Sequence, residues 1–581
     1  MRILFFAPHS AIWIHAFPEA LVAESLRRSG NEIIYVGCGG LLSSHCVSMS
    51  AYSVPFSAAR AQKERICGVC KNNLKIIRDN FGFTGPDLKG LATDDDLAFA
   101  EEFISSVPPT SYPELILEGV EVGRVALYEM LIQSKRGALE FDAAERSRYA
   151  ASLKNVVAVV RLATRMLDEI KPDRIVLYNA LYSVNRAVCR LAQMRSIPQY
   201  YLHAGDNLSN RLQTLVLARD QAFSYYNHLR DQWPYFENRP CPLDAMKLGT
   251  DHLLEVARGR SVWAYSAASG NSTDLRQLLG IGAGQRIICA TMSSDDERFG
   301  AEVSGVLPSL GGLLYATQVD WIRALIKYVA TRQDLCLVIR VHPREFPNKR
   351  DAVMSDHAKM LQEALVTLPA NVRVNWPTDN ISLYDLASIT DVFANAWSSA
   401  GKEMAWLGLP VVLYSPELAL YPTSLNYIGV TELEYFQQIE KALRDGWDVD
   451  RIRKTYRWCA VEFFYSSLDI SESFTRDEHA TFLQKCVRKL LGSVAPSREQ
   501  KKNFRDRAAR LTSAERINRI LNEQLNAAVD LCTMDPPAVS YSEETAFLKT
   551  EVRRLVDGLY GARNGSRKNS LADKLRSFAE S

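Results

Sequence analysis

Short apolar segments alternate with amphipathic segments along the first part of the chain. ILFFAP, at residues 3–8, is a continuous apolar run; helically spaced apolar positions follow it up to Gly30, and then comes a second apolar run, EIIYVG. After a mostly helical stretch the same order returns, with RIVLYN, a helical pattern over 184–195 and QYYLHAG. Fully apolar strands that alternate with amphipathic helices predict a parallel sheet covered on both faces.

A second series of the same kind begins near residue 285. RIICATM, LCLVIRVHP, VRVNW, DVFANA and PVVLY predict strands, with a helix over 320–331. Between the two series lies a polar segment with three prolines and the run SAASGNSTD, which is typical of an interdomain connection. We therefore expect two doubly wound, Rossmann-type α/β domains that face each other across a cleft. The predicted segments are an N-terminal domain with a helical insertion (1–220), a connecting region (221–280), a C-terminal domain (281–440) and a helical C-terminal extension (441–581).

Composition narrows the class of protein. The 581 residues are enough for two large domains, and 69 Lys and Arg against 67 Asp and Glu exclude the broad positive surface of a nucleic-acid-binding protein. The first apolar run is broken by Pro8, His9 and Ser10, which makes it too short for a signal peptide, and no stretch approaches the roughly 20 apolar residues of a membrane span. Eleven cysteines without a secretory signal indicate reduced thiols. A cytoplasmic protein is expected.

Arg488–Arg519 departs from the balanced charge of the rest of the chain. It holds ten lysines or arginines and three acids. One interpretation is a solvated helix surface. The other is a peripheral contact with anionic lipid headgroups, where each clustered basic side chain gains about 1 kcal/mol. The second interpretation places the protein at the inner face of the cytoplasmic membrane.

One candidate site lies where the strand LCLVIRVHP ends. Ligands of open parallel sheets bind outside the carboxyl ends of the strands. In RVHPRE, Arg340 and His342 emerge from this buried strand, and Pro343 stops the strand and fixes the turn. An imidazole in this position is suited to contact a phosphate. The alternative is a turn histidine without a ligand.

Ser398, Ser399 and Glu403 follow the strand DVFANA in the sequence WSSAGKE, where a helix begins. Hydroxyls and free backbone N–H groups at a helix start favour an anion. Glu403, four residues after Ser399, shares that helix face and is placed to accept hydrogen bonds from ribose hydroxyls. The alternative is a capping box, in which serine and glutamate only cap the helix. His342 and Ser398 are 56 residues apart, which allows two β-α steps and brings both to one sheet edge.

RVHPRE, WSSAGKE and GLPVVLY together resemble the His-Pro and Ser-Ser motifs of bacterial GT-B glycosyltransferases, seen in sialyltransferases and in capsule or lipopolysaccharide Kdo transferases. The resemblance covers roughly residues 285–440 by motif and the N-terminal half by architecture. It implies a GT-B-like fold with an acceptor-binding N-terminal domain and a nucleotide-sugar-binding C-terminal domain. It also implies that His342, Ser398 and Ser399 hold the phosphate of a nucleotide sugar, often a CMP sugar, and that Glu403 binds the ribose.

Transfer with inversion needs a base for the acceptor hydroxyl, and a carboxylate in the cleft is the usual choice. CATMSSDDERFG carries acids directly after a strand, so Asp296 is the first candidate and Asp295 the second. The alternative is a solvated acidic loop or a helix cap. Among strand ends of the N-terminal sheet, His9 is a further catalytic candidate, and Asn179 and His203 are predicted to line the acceptor side. A histidine in such a position is otherwise a structural residue.

Two clusters bear on metal binding. One cluster consists of four cysteines: Cys38, Cys46, Cys67 and Cys70, of which the last two form the CGVC pair. Four such thiols can hold a structural zinc ion with tetrahedral geometry, although their spacing is not that of a standard zinc finger. The alternative is four unligated thiols. The acidic run at 94–96 is interpreted as a polar loop leading into a helix. Catalysis needs no metal if the protein's own groups neutralise the donor phosphate.

The predicted function is glycosyl transfer from a nucleotide sugar, with a CMP sugar such as CMP-Kdo favoured, to a glycan or lipid-linked glycan acceptor in bacterial surface polysaccharide synthesis. The expected partners are these two substrates and no nucleic acid, with a peripheral membrane contact through the C-terminal basic helices. Two alternatives stay open. One is a nucleotide-sugar 2-epimerase on the same scaffold, which needs no acceptor. The other is a non-catalytic glycan-binding or scaffold protein.

Overall fold

Two six-stranded sheets organise the structure. The computed structural model describes residues 1–259, 261, 263–269, 274–307, 313–348, 350–471, 511–534, 538–561 and 570–581. In this part of the chain the strands are β1 (Arg2–Phe6), β2 (Glu32–Val36), β3 (Arg174–Tyr178), β4 (Gln199–Ala204), β5 (Thr214–Arg219), β6 (Arg286–Thr291), β7 (Leu335–Arg340), β8 (Val372–Asn375), β9 (Val392–Asn395), β10 (Val411–Leu413), β11 (Tyr427–Ile428) and β12 (Leu468–Asp469).

Helices connect the strands and cover the sheets. They are α1 (Trp13–Arg28), α2 (Val47–Ala51), α3 (Arg60–Phe81), α4 (Leu88–Leu91), α5 (Asp94–Ser105), α6 (Val122–Val125), α7 (Tyr128–Ser134), α8 (Ala143–Ile170), α9 (Ser183–Met194), α10 (Ala222–Phe236), α11 (Leu243–Arg258), α12 (Leu275–Leu278), α13 (Asp295–Val303), α14 (Gln318–Ala330), α15 (Asp356–Ala364), α16 (Leu383–Ala387), α17 (Ala400–Trp406), α18 (Glu432–Asp445), α19 (Val449–Cys459), α20 (Ala514–Asn522), α21 (Val529–Met534), α22 (Tyr541–Tyr560) and α23 (Ser570–Glu580). Short 3-10 helices lie at Pro109–Glu114, Pro343–Glu345, Pro377–Asp379, Pro416–Leu418 and Thr423–Leu425, and a π-helix at Ala460–Tyr465.

The N-terminal sheet has the order β12-β5-β4-β3-β1-β2. β1 to β4 are parallel, whereas β5 runs antiparallel to β4, and β12 runs antiparallel to β5. Successive residues of β1 are buried on opposite faces, because Ile3 and Phe5 belong to one apolar cluster and Leu4 and Phe6 to another. Both faces are therefore covered, as the continuous apolar run predicts. β5 and β12 were not among the predicted strands.

The C-terminal sheet is parallel throughout and has the order β11-β10-β9-β6-β7-β8. Counted from β6, this is the strand order of a dinucleotide-binding fold, and it reverses between β6 and β9. The predicted class is confirmed: two doubly wound α/β domains face a cleft, with a helical C-terminal part. The predicted residue limits of the four segments stay predictions.

The chain after residue 440 contacts both domains. β12 joins the N-terminal sheet, α20 packs against α1, and α22 packs against α11, where Arg554 pairs with Asp251 at 2.5 Å. Most of the basic stretch Arg488–Arg519 lies outside the described residues, and within α20 Arg516 donates hydrogen bonds to the backbone oxygens of Tyr465 and Ser467. In the described part of the chain, no helix has the length and apolar character to cross a membrane.

A buried lysine joins the two domains. α7 ends at Lys135, which has a positive φ of 50° and is 1% exposed. Its Nζ reaches into the C-terminal domain, where it donates to the backbone oxygens of Arg344 and Val353 at 2.5 and 2.7 Å and lies 2.7 Å from the Asp351 carboxylate. A buried ammonium is tolerated only when its hydrogens meet acceptors, so this contact fixes the position of one domain on the other.

The next residue extends the same contact. Arg136 pairs with Glu145 of its own domain at 2.8 Å and with Asp356 of the C-terminal domain at 3.0 Å. From the other side, Arg344 donates through Nη2 to the backbone oxygen of Ile132 at 2.8 Å. Arginines of both domains therefore form ion pairs or hydrogen bonds across the domain boundary.

We predict that Lys135→Met lowers the free energy of unfolding by about 3 kcal/mol, because the Asp351 carboxylate and the backbone oxygens of Arg344, Phe346 and Val353 lose a buried partner. The matched control is Lys75→Met, which removes an ion pair to Asp79 whose side chains are 75% and 61% exposed and which we expect to change stability by less than about 1 kcal/mol. Urea unfolding measures both variants, and small-angle scattering reports any separation of the domains. If both substitutions lowered the free energy of unfolding equally, Lys135 would not be the residue that fixes the position of one domain on the other.

Candidate active site

A cavity of about 290 Å³ lies between the domains, at the carboxyl edge of the C-terminal sheet. This is the edge at which ligands of doubly wound sheets bind, and the strand order reverses there. The cavity is lined by all six residues predicted to bind the donor: Arg340, His342, Pro343, Ser398, Ser399 and Glu403. The N-terminal half and the connecting region supply the opposite wall, which includes Asp206, Tyr226, His252, Trp263 and Tyr265. This space is called the interdomain cavity below.

His342 follows β7 and is fixed by its own turn. The backbone N–H of Arg344 donates to Nδ1 of His342 at 3.3 Å, so in the neutral ring Nε2 carries the proton. Burial lowers the pKa of His342 to about 4, and the ring is therefore neutral at neutral pH. A neutral imidazole with a protonated Nε2 is a hydrogen-bond donor for an anionic ligand. Its ring also lies 5.7 Å from that of Tyr265.

Ser399 and Glu403 are hydrogen-bonded to each other at the start of α17, and Ser398 precedes them. The Ser399 hydroxyl donates to one oxygen of Glu403 at 3.0 Å, and the Tyr384 hydroxyl donates to the other at 2.7 Å. The Ser398 hydroxyl accepts from the N–H of Ala400 at 3.3 Å. Ser399 makes no side-chain bond to the helix backbone, so the capping box considered above is not formed. Glu403 is instead oriented from two sides, with lone pairs left for a ligand hydroxyl.

Arg340 supplies a fixed positive charge behind these residues. It is 7% exposed, and its Nη1 donates to the Ile381 backbone oxygen at 2.9 Å and to the Asn375 side chain. No carboxylate of the described residues lies within ion-pair distance of it. Burial lowers its pKa. A cation without a counter-charge next to the cavity favours an anionic ligand.

Asp295 and Asp296 lie outside the interdomain cavity. They begin α13, which packs against α7 of the opposite domain. Asp296 is 2% exposed and accepts hydrogen bonds from Arg344 at 2.5 Å and from Ser294 at 2.7 Å. The Asp295 backbone N–H donates to the Glu345 carboxylate at 3.0 Å. The catalytic role predicted for these two aspartates finds no support in this position and stays a prediction.

Asp206 is a candidate that sequence reasoning missed. It lies two residues beyond the end of β4, in HAGDN, and lines the interdomain cavity from the N-terminal side. Its Oδ2 is buried and has no hydrogen-bond partner among the described residues. Burial raises its pKa, although Arg211, Lys402 and the Tyr226 hydroxyl lower it. A carboxylate oxygen with a raised pKa and a free lone pair is suited to accept a proton. The available signal was an acid directly beyond a strand end.

A buried ion pair also lines the cavity and was not predicted. Lys402 Nζ lies 2.7 and 2.5 Å from the two carboxylate oxygens of Glu462. Lys402 belongs to α17, whereas Glu462 belongs to the π-helix Ala460–Tyr465, and such helices are frequent at functional sites. Burial raises the pKa of Glu462, and Lys402 opposes this shift. Both members of the pair act on Asp206 or are acted on by it: Lys402 lowers the pKa of Asp206, and Asp206 raises the pKa of Glu462.

The connecting region forms part of the cavity wall. His252 of α11 accepts through Nδ1 from the N–H of Leu208 at 3.1 Å, and burial lowers its pKa well below 6.5. Trp263 and Tyr265 add aromatic surface, and the Arg211 guanidinium lies 5.6 Å from the Trp263 ring. Aromatic rings beside polar groups are typical of sites for nucleosides and sugars.

His9, Asn179 and His203 lie at the carboxyl edge of the N-terminal sheet but not on the interdomain cavity. Asn179 has a φ of 60°, and its side-chain oxygen accepts from the N–H of Leu181 at 3.0 Å, so it shapes the turn after β3. Nδ1 of His203 lies 2.9 Å from the Ala204 backbone oxygen, and burial lowers its pKa to about 4. The acceptor-side role of Asn179 and His203 stays a prediction. His9 lines a separate pocket.

The four cysteines predicted to hold zinc, Cys38, Cys46, Cys67 and Cys70, line one small cavity in the N-terminal domain. Burial raises the pKa of all four thiols, and Cys46 reaches about 12. Among the described residues, no group of three or more His, Cys, Asp or Glu is arranged to hold a metal ion. The geometry gives the zinc prediction no support.

We predict that Asp296→Asn lowers the free energy of unfolding by about 2 kcal/mol, because Arg344 loses a buried counter-charge. Turnover per folded molecule should stay near that of the wild type. Urea unfolding and assays with a nucleotide sugar and an acceptor separate the two effects. Asp95→Asn, at a side chain that is 93% exposed, serves as the control. Loss of turnover at unchanged stability would instead restore the catalytic role of Asp296.

The chain matches no protein-family model and no curated protein sequence. It shows similarity to solved structures of glycosyltransferases and of UDP-GlcNAc 2-epimerases. With the β-Kdo 2,4-transferase KpsC of Thermosulfurimonas dismutans it shares 15% identity over 52% of this chain and 82% of that chain, with a TM-score of 0.32. With the glycosyltransferase SnogD from Streptomyces nogalater it shares 15% identity over 80% of this chain and 94% of that chain, with a TM-score of 0.24. With the UDP-GlcNAc 2-epimerase from Neisseria meningitidis it shares 12% identity over 80% of this chain and 97% of that chain, with a TM-score of 0.24. At identities and TM-scores this low, only the geometry of the interdomain cavity bears on function.

Proposed function

We propose that this protein is a glycosyltransferase that moves a sugar from a nucleotide sugar, with a CMP sugar favoured, to a glycan or lipid-linked glycan acceptor in bacterial surface polysaccharide synthesis. The observation that supports this best is the arrangement of the interdomain cavity. Hydrogen-bond donors for a phosphate, His342, Ser398 and Ser399, line one wall, and the free carboxylate oxygen of Asp206 belongs to the other. Displacement at a sugar carbon needs a held leaving group on one side and a base on the other.

The donor phosphate is held in this proposal by neutral donors backed by a buried cation. Nε2–H of His342 and the Ser398 hydroxyl donate to its oxygens, and the Ser399 hydroxyl turns from Glu403 to the phosphate when the donor binds; the charge of Arg340 lies behind them. Negative charge grows on the phosphate as its bond to the anomeric carbon breaks. Donors already oriented at that position stabilise the developing charge. A bound phosphate also raises the pKa of His342 from its low value and allows the ring to become charged.

Asp206 is the base in this proposal. Its Oδ2 accepts the proton of the acceptor hydroxyl as that oxygen attacks the anomeric carbon from the face opposite to the phosphate. The new bond to the acceptor oxygen forms as the bond to the phosphate oxygen breaks, so the configuration at the carbon is inverted. The raised pKa of Asp206 strengthens it as a base, while Lys402 keeps its ionised form accessible.

We predict that the wild type binds a nucleotide and is stabilised against heat by it, with CMP more effective than UDP, GDP or CDP. His342→Ala should weaken nucleotide binding about tenfold, the loss expected for one hydrogen bond to a charged group. His228→Ala, at a histidine paired with Asp530 outside the cavity, should leave the affinity unchanged. Thermal shift and calorimetry measure these effects. Unchanged affinity in His342→Ala would contradict the phosphate role.

We predict that Asp206→Asn lowers kcat by about 10²–10⁴-fold, the usual contribution of a general base. In the wild type, kcat/KM should fall with decreasing pH through an apparent pKa above 3.8, because burial raises that of Asp206 and only the ionised form accepts a proton. Because burial raises the pKa of Asp206 in the folded state, the ionised carboxylate lowers the stability of the folded state at pH values above this pKa. Asp206→Asn removes this charge and should therefore be at least as stable as the wild type.

An activity assay with a nucleotide sugar but no acceptor distinguishes a glycosyltransferase from a 2-epimerase. A transferase releases nucleotide slowly by hydrolysis when no acceptor is present, whereas a 2-epimerase converts the nucleotide sugar into its epimer. Epimer formation by the wild type would overturn the proposed function. Loss of stability together with activity in Asp206→Asn would show a structural role for this carboxylate.

A further inference from the structure

A second pocket, which we call the N-terminal pocket, lies entirely within the N-terminal domain. Its polar lining includes His9, Glu129, Arg148, Asn155 and Ser183. These residues come from the end of β1, from α7 and α8, and from the start of α9. The pocket is open to one side and encloses about 50 Å³, which is room for about four water molecules or for one edge of a sugar ring.

His9 gives the first sign that the pocket holds a ligand. The side chain is buried, with 8% of the residue exposed, yet neither ring nitrogen has a hydrogen-bond partner among the described residues. Buried polar groups in proteins are almost always paired, so an orphaned imidazole needs an explanation. Burial lowers its pKa to about 4, and the neutral ring offers one donor and one acceptor. A ligand hydroxyl satisfies both requirements.

Arg148 gives an independent second sign. Its guanidinium donates to the side-chain oxygen of Gln133, and no carboxylate of the described residues lies within ion-pair distance. The two acids that influence it are engaged elsewhere, since Glu129 accepts from the N–H of Ser183 at 2.7 Å and Glu145 pairs with Arg136 at 2.8 Å. The half-buried cation therefore has unused N–H groups and, among the described residues, no carboxylate in direct contact; the charge of Glu129 acts on it only from a distance. An incoming carboxylate accepts hydrogen bonds from those N–H groups and brings a negative charge into contact with the guanidinium.

We infer that the N-terminal pocket binds an acidic sugar unit of the acceptor, with the sugar carboxylate on Arg148 and ring hydroxyls on His9 and Glu129. This rests on the proposed function for the statement that the sugar belongs to the acceptor. The pairing of a planar guanidinium with a carboxylate is bidentate and gives specificity as well as affinity. The unit that occupies the pocket is then selected by its charge.

The presence of Glu129 distinguishes a sugar carboxylate from phosphate. A dianion next to this carboxylate meets like-charge repulsion, whereas a monoanionic sugar turns hydroxyls toward it. Burial raises the pKa of Glu129, and the Ser183 N–H and hydroxyl oppose this shift. Glu129 therefore acts as an acceptor for hydroxyl groups and disfavours a second multivalent anion.

The test measures binding of small probes to the full chain by calorimetry and by saturation-transfer NMR. The probes are the methyl glycosides of glucuronic and galacturonic acid, their neutral glucose and galactose counterparts, and inorganic phosphate. We expect the wild type to bind at least one acidic glycoside about tenfold more tightly than its neutral counterpart, and Arg148→Gln to abolish this difference. Arg124→Gln, at an exposed arginine of α6, removes the same charge and should retain it.

Gln133→Glu provides a second variant that keeps the arginine and the fold. The new carboxylate pairs with Arg148 and competes with the ligand, so the preference for the acidic glycoside should fall while thermal stability is kept. Equal binding of acidic and neutral glycosides by the wild type would overturn the inference. Phosphate binding that depends on Arg148, without binding of either acidic glycoside, would also overturn it.

Nucleotide binding separates this inference from the proposed function. Arg148→Gln and Gln133→Glu should bind the nucleotide as the wild type does, because neither residue lines the interdomain cavity. A wild type that binds acidic glycosides but no nucleotide defeats the proposed function alone. A wild type that binds nucleotide but shows no preference for the acidic glycoside defeats this inference alone.

Discussion

The ammonium group of Lys135, buried among carbonyl oxygens of the opposite domain, sets the position of one sheet relative to the other. A cation can be kept in such a place only where its hydrogens meet acceptors, so the contact is specific to one arrangement of the domains. In that arrangement the interdomain cavity has hydrogen-bond donors on one wall and a carboxylate on the other. The chemistry of the cavity therefore depends on a contact that lies outside it.

The position of His342 and Ser398 on one cavity wall could be predicted from the sequence. Both residues follow apolar strands, and the edge of a parallel sheet brings such residues together. The same rule applies to Asp206, which follows β4, although the sequence prediction at the end of that strand was His203. Lys402 and Glu462 could not be paired from sequence, since the π-helix that carries Glu462 follows no strand and has no recognisable motif. For Asp296 the sequence leaves the environment open, since acids after a strand look alike whether they face a cavity or, as here, pair with a buried arginine of the same domain.

Three carboxylates of the described residues line the interdomain cavity, and their partners distinguish them. Glu403 accepts from two hydroxyl groups, Glu462 pairs with Lys402, and one oxygen of Asp206 has no hydrogen-bond partner in the described part of the chain. Residue type alone assigns no role to any of them, whereas the remaining lone pairs do. The same reasoning applies to Arg148 in the N-terminal pocket, where the absence of a contacting carboxylate among the described residues is more informative than the arginine itself.

The π-helix that carries Glu462 leads directly into β12, which is hydrogen-bonded into the N-terminal sheet. One side chain of the cavity lining is thus carried by a tail that crosses back over the domain boundary. The two sheets are therefore not independent modules. A fragment that stopped after the second sheet would keep the serines that line the cavity and lose Glu462. Recombination that exchanged one half for a homologous half would have to bring this return segment along with the half that it contacts.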